Sequence, residues 1–120
     1  MNEKINYLKS CGVDTDTAIE NMIDFDTYYE IFQEFYNTID TVKTELKNYK
    51  DQNDMPNYAI CVHALKSNVR SLGFMGLGDL AYSHELKSKE GDSTFINSDF
   101  DHLMTEVDKV KEQMTNCINL

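Results

Sequence analysis

From Phe25 to Tyr49 the chain sets an apolar residue at every third or fourth position without a break: Phe25, Tyr28, Phe32, Phe35, Ile39, Val42, Leu46 and Tyr49. That spacing lays them along one stripe of an α-helix and excludes a strand, whose faces alternate every second residue. It predicts one long helix over about 25–49, packed by this seam in a bundle. Ile96, Phe100, Leu103, Val107, Val110, Met114 and Cys117 repeat the spacing and predict a last helix over about 94–118. The single proline and the five glycines all lie near expected ends or turns, so helices account for the chain.

The remaining segments follow from their stop and start signals. A short helix over about 2–11 turns Ile5 and Leu8 inward and stops at Gly12. Asp14 or Thr15 can cap a second short helix carrying Ala18, Ile19 and Met22. After the polar run Lys50 to Asp54, Asn53 or Asp54 caps a helix over about 55–73 with Pro56 in its first turn. Gly73, Gly76 and Gly78 mark the turn that follows, and a shorter helix with Leu77, Leu80 and Ala81 inward ends near Gly91. The expected fold is all-α: an antiparallel four-helix bundle with the short N-terminal helices as a lid. The 120 residues form one domain, 1–120, with a single core.

Composition removes several classes of function. With 41% hydrophobic and 27% charged residues the chain has a globular rather than a disordered make-up. It has no apolar window of about 18 residues, so no membrane span is expected. No basic start with an apolar run marks a secretory leader. Cys11, Cys61 and Cys117 are odd in number, far apart and without zinc or redox spacing, which points to a reducing, cytoplasmic setting. A net charge of −10 argues against nucleic acid as a partner. Between Asp54 and Asp79, however, no acidic residue occurs, while Lys66 and Arg70 do. A locally basic stretch in an acidic protein has the character of a docking face for an anionic group.

On a helical wheel of about 100° per residue, Tyr58, Val62, Leu65, Val69 and Leu72 fall within about 80° and form the core stripe. His63 lies about 140° from the middle of that stripe and Ile60 about 160°, so both face outward. Ala59, Ile60, Lys66, Ser67 and Arg70 are the helical neighbours of His63. Neutral imidazole is a nucleophile at physiological pH. Phosphorylation would add negative charge that Lys66 can stabilise from one turn away. This face carries no carboxylate of its own, so it holds neither magnesium nor a general base, and a partner has to supply the catalysis. The same wheel also fits an ordinary solvated histidine among surface charges.

The string His63-Ala64-Leu65-Lys66-Ser67, with Gly73 ten residues after the histidine, resembles the H-x-L-K-G…G signature of histidine-phosphotransfer (HPt) domains. Leu77-Gly78-Asp79-Leu80-Ala81-Tyr82-Ser83-His84-Glu85 is similar to that family's L-x-x-L-A-x-x-L-E helix, and Glu90-Gly91-Asp92 continues the likeness. Gly12-Val13-Asp14 and the segment from Phe25 to Phe35 look like the family's opening, so the likeness covers nearly the whole chain. The resemblance implies a phosphoacceptor at His63 and a phosphate-stabilising Lys66. The docking surface would comprise Ile60, Ala59, Ala64, Ser67 and Arg70. The implied partner is a response-regulator receiver domain, whose aspartate exchanges the group and whose metal catalyses the step, or a hybrid sensor histidine kinase. A monomeric carrier with no cofactor and no metal of its own is expected, not an enzyme in its own right. Two positions depart from the pattern. Ser67 stands where glycine is usual, and His84 where leucine is usual. His84 falls on the inward side of its helix and is expected to be a partly buried, hydrogen-bonded histidine rather than a second phosphate site. His102 is expected on the surface.

Three rival readings remain in view. A histidine-kinase dimerisation domain usually has an acid directly after its histidine and Asn or Thr before proline one turn on, where this chain has Ala64, Ser67 and Asn68. A metal-binding bundle needs inward Glu and Glu-x-x-His pairs, which Glu45, Glu85 and Glu106 do not supply. An HPt-like adaptor that binds a signalling partner without being phosphorylated is the third.

Overall fold

A computed structural model describes residues 2–120, and among these there are seven helices and no strand. In chain order they are α1 (Glu3–Ser10), α2 (Thr15–Asn21), α3 (Phe25–Tyr36), α4 (Ile39–Asp51), α5 (Met55–Ser71), α6 (Met75–Lys89) and α7 (Ser93–Ile118). Five of them begin on a short polar side chain that accepts a main-chain N–H from the first turn. Asn2 caps α1, and Asp14, Asp24, Asp54 and Asp92 cap α2, α3, α5 and α7. Part of the acidic excess is therefore spent where a helix N-terminus favours negative charge. None of the helices is long and apolar enough to cross a membrane.

The helix expected over 25–49 is interrupted. Its seam is inward as read, with Tyr28, Phe32, Phe35, Ile39 and Leu46 buried. The helical ladder breaks at Asn37 and Thr38, where the Thr38 N–H and hydroxyl both donate to the Phe35 carbonyl. This tighter, three-residue hydrogen bond ends α3, and α4 restarts directly after it. The glycine-rich turn is also shorter than expected. Gly73 alone forms it, while Gly76 and Gly78 lie within α6.

Gly73 adopts a left-handed φ of +94°, and the N–H of Phe74 reaches back to the Val69 carbonyl, closing α5. A Cβ on Gly73 would stand 2.6 Å from the Asp14 carbonyl oxygen. The Asp14 N–H donates to the Gly73 carbonyl at 3.0 Å, so the start of α2 is fastened to this turn.

The direction of packing follows from side-chain pairs. Tyr58 meets His84, His63 meets Glu85 and Arg70 meets Asp79, so α5 and α6 run antiparallel. Lys43 meets Asp108 and Asp40 meets Lys111, so α4 and α7 do as well. The α5 stripe and the whole α7 seam are buried between them. Tyr28, fully buried in α3, donates its hydroxyl to the Leu72 carbonyl at 2.7 Å and so closes the end of α5. Against the far end of α7, α1 is held by Lys4, whose ammonium donates to the carbonyls of Leu120 and Cys117.

Candidate functional site

The wheel of α5 holds. His63, Ala64 and Ser67 are exposed, and Ile60 keeps 69% of its surface in solvent. Ala59 does not follow the expectation of an exposed docking residue. It is 5% exposed, because α6 packs against that side of α5, and it forms the floor of a cleft instead. This cleft, of about 480 Å³, is lined by Pro56, Ala59, Ile60, His63, Ser88 and Lys89.

The absence of a carboxylate from this face is overturned. Glu85 crosses from α6 and brings Oε2 to 2.8 Å from His63 Nδ1 and Oε1 to 2.6 Å from Lys66 Nζ. Lys89, one turn further along α6, donates to Oε2 at 2.7 Å. The Glu85 side chain is only 3% exposed. Burial by itself raises a carboxyl pKa, but the bonds from Lys66, Lys89 and His63 outweigh it and hold Glu85 down at about 2. It is thus an anion that can only accept, so the proton between it and His63 sits on Nδ1. Nε2 has no hydrogen-bond partner among the described residues, on a side chain 55% exposed. A histidine held in this way has its tautomer and its ring orientation set from the Nδ1 side.

The cations are not free either. Lys66 is 14% exposed, bound to Glu85 and lying 5.0 Å from the centre of the Tyr82 ring. Arg70 packs on the same ring at 5.3 Å and donates to Asp79 at 3.1 Å. The two cations of this stretch are each paired in space, because the antiparallel neighbour brings Asp79 and Glu85 against them.

Sequence reasoning missed Glu85 as the partner of His63, and Lys89 altogether. The signals were the glutamate closing the L-x-x-L-A-x-x-L-E likeness and a lysine four residues after it, at helical-neighbour spacing. His84 is fully buried and hydrogen-bonded, more enclosed than expected. His102 is exposed, its Nδ1 lying 3.2 Å from Asp99 Oδ1. No family model, no curated protein and no solved structure matches the chain.

Proposed function

We propose that this chain is a histidine-phosphotransfer module that accepts a phosphoryl group on His63 Nε2 and passes it on. The observation that carries the proposal is the pairing of an exposed imidazole with a buried, ionised Glu85 on its Nδ1 side. When the Nε2 lone pair attacks the phosphorus of an aspartyl phosphate, the N–P bond forms as the bond to the aspartate oxygen breaks, and the carboxylate leaves with the electron pair. The ring, carrying Nδ1–H and the phosphoryl group, becomes cationic, and Glu85 stabilises that charge through the same proton. In the reverse direction the N–P bond breaks as the aspartate oxygen bonds to phosphorus, and the ring leaves as neutral imidazole with the electron pair on Nε2. Lys89, 59% exposed and lining the cleft beside His63, is the cation nearest to hand for the phosphoryl oxygens. Lys66, paired with Glu85 behind the ring, would stabilise the phosphorylated state only by exchanging that carboxylate for a phosphoryl oxygen.

The partner in this reading is a receiver domain of a response regulator, or of a hybrid sensor kinase, which supplies the reactive aspartate and the metal. The chain itself is a carrier and not an enzyme. Ile60, at the rim of the cleft, offers that partner an apolar anchor, with Ala64 and Ser67 leaving room beside the ring. The matching architecture is a four-helix bundle in which α3 and α4 form one bent arm beside α5, α6 and α7, with α1 and α2 as the lid. The antiparallel pairing of α5 with α6 and of α4 with α7 supports it. Cys11, Cys61 and Cys117 are all free thiols, which supports a reducing, cytoplasmic setting; the carrier in this reading is a monomer.

The test is incubation with receiver domains from the same organism charged by acetyl phosphate. The parent chain should gain phosphate that is labile in acid and stable in base. His63→Gln should remain folded, since the ring is exposed, and gain none. Phosphate of that kind on His63→Gln, or none on the parent from any receiver, would sink the proposal; the second outcome leaves the adaptor reading.

A further inference from the structure

His84 of α6 has no solvent exposure, yet both of its ring nitrogens are hydrogen-bonded to neighbouring helices. The Tyr58 hydroxyl of α5 lies 2.8 Å from Nδ1 and Asp99 Oδ2 of α7 lies 2.9 Å from Nε2. Burial tends to raise the Asp99 carboxyl, but hydrogen bonds from His84 and His102 prevail and keep it below the usual aspartate range. As an anion it only accepts, so Nε2 carries the proton and Nδ1 accepts from Tyr58. Burial in turn lowers the tendency of this imidazole to take up a second proton, against the pull of Asp99. Three helices therefore meet in a chain of bonds that is satisfied in one arrangement.

The apolar pattern of α6 does not specify which way this helix faces. Its buried residues are Leu77, Gly78, Ala81, His84, Glu85 and Ser88, half of them polar, with Leu80 partly buried against the core, while Tyr82 and Leu86 on another side remain 42% and 44% exposed. Apolar contact is non-directional and would accept the helix turned toward Tyr82 and Leu86. Hydrogen bonds weaken steeply off their axis and do not. The consequence lies one residue on, because Glu85 crosses to α5 beside His84. The Tyr58 bond sits inside the core and the His63 bond at its solvent edge. Side-chain atoms stand about 6 Å from a helix axis, so a roll of about 10° moves them by about 1 Å. A displacement of that size at a reacting group can cost about 100-fold in rate.

We propose that His84 is a positioning residue: through Tyr58 and Asp99 it fixes the roll of α6, which seats the Glu85 carboxylate on His63 Nδ1 and keeps the lone pair on Nε2. The effect on transfer rests on His63 being the acceptor; the effect on the His63 tautomer does not.

The experiment uses the full chain with Tyr58→Phe and His84→Leu combined, which removes both the hydroxyl and the imidazole and leaves Asp99, 27% exposed, with His102 and solvent as its partners. Two readouts are taken. Long-range proton–nitrogen NMR spectra report the His63 tautomer, and phosphate transfer from a charged receiver reports the rate. The parent should show a single Nδ1–H tautomer at His63. The double variant should melt close to the parent, show His63 as a mixture of tautomers, and transfer at least about tenfold more slowly. An unchanged tautomer in the folded double variant overturns the proposal. If the parent carries no phosphate at all, the functional reading fails, and the tautomer readout still decides the role of His84. Should the double variant not fold, the same two readouts are taken on Tyr58→Phe and on Asp99→Ala, which remove the two bonds of His84 one at a time, and an unchanged tautomer in both overturns the proposal.

Discussion

At the scale of single residues, Glu85 joins three groups that would otherwise repel or move independently: two ammonium groups and an imidazole. A buried carboxylate is tolerated only when it is paired and hydrogen-bonded, and removing its charge leaves its partners uncompensated. Glu85→Gln keeps the shape and removes the charge. Lys66, only 14% exposed, then faces a neutral amide, and the loss should be about 1.5–3 kcal/mol, the range for hydrogen bonds to charged groups. The amide can accept from Nδ1–H through its oxygen or donate to Nδ1 through its nitrogen, so the His63 proton loses its fixed place. Urea unfolding together with receiver-dependent phosphorylation of Glu85→Gln checks both effects. Full-rate transfer in a destabilised variant would restrict Glu85 to a structural role.

At the scale of the elements, what the sequence discloses is set by whether a helix can be judged alone. The stripes of α5 and α7 are legible because each depends on spacing within one helix, and their residues are buried as read. Asn37 and Thr38 give no warning of the break between α3 and α4, since both occur within helices and the apolar seam continues across them. The exposed His63 was legible for the same reason as the stripe opposite it. Its partner was not, because Glu85 stands 22 residues on and reaches it only through the packing of α6 on α5. Gly78 was misjudged as a turn residue for a related reason. It lies inside α6, and a Cβ there would stand 2.5 Å from Arg70 Cγ and 3.1 Å from Nε, so the glycine makes room for a side chain of the facing helix. Gly76, nearer the start of α6, has nothing within 4 Å of the corresponding position. Alanine is favoured over glycine in helices by about 1 kcal/mol, so Gly76→Ala should stabilise by up to about that amount. Gly78→Ala should forfeit the gain and destabilise, because Arg70 must leave its place against Tyr82 and Asp79. Urea midpoints of the two variants give the comparison, and an equal gain at both positions would show that Arg70 does not require the glycine.

Over the whole molecule, acid acts on two sets of groups with opposite sign. At a net charge of −10, protonating surface carboxylates relieves self-repulsion and favours the folded chain. The buried groups act the other way. Burial holds the His84 imidazole below the usual histidine range, with the Asp99 carboxylate opposing that effect. Around it stand Tyr58 from α5, Asp99 and His102 from α7, and Glu85 on its own helix. In the unfolded chain the same imidazole takes up a proton near pH 6.5. Below that pH the unfolded state therefore binds more protons than the folded state, and stability falls as pH drops until the folded imidazole is itself protonated. Glu85, held at about 2, contributes in a lower window. Its stabilisation is complete above the unfolded glutamate value near 4.3 and is lost as pH falls from there toward 2. Salt at about 0.15 M screens exposed charges beyond about 8 Å and leaves buried pairs largely unaffected, so it suppresses the opposing surface effect. Under that condition the parent should melt at a lower temperature at pH 5.5 than at pH 7.5. The Tyr58→Phe, His84→Leu double variant, with no imidazole to protonate at that place, should lose less over the same interval. Equal losses in the two proteins would mean that His84 is not a buried neutral base, and that the fall on acidification arises elsewhere in the molecule.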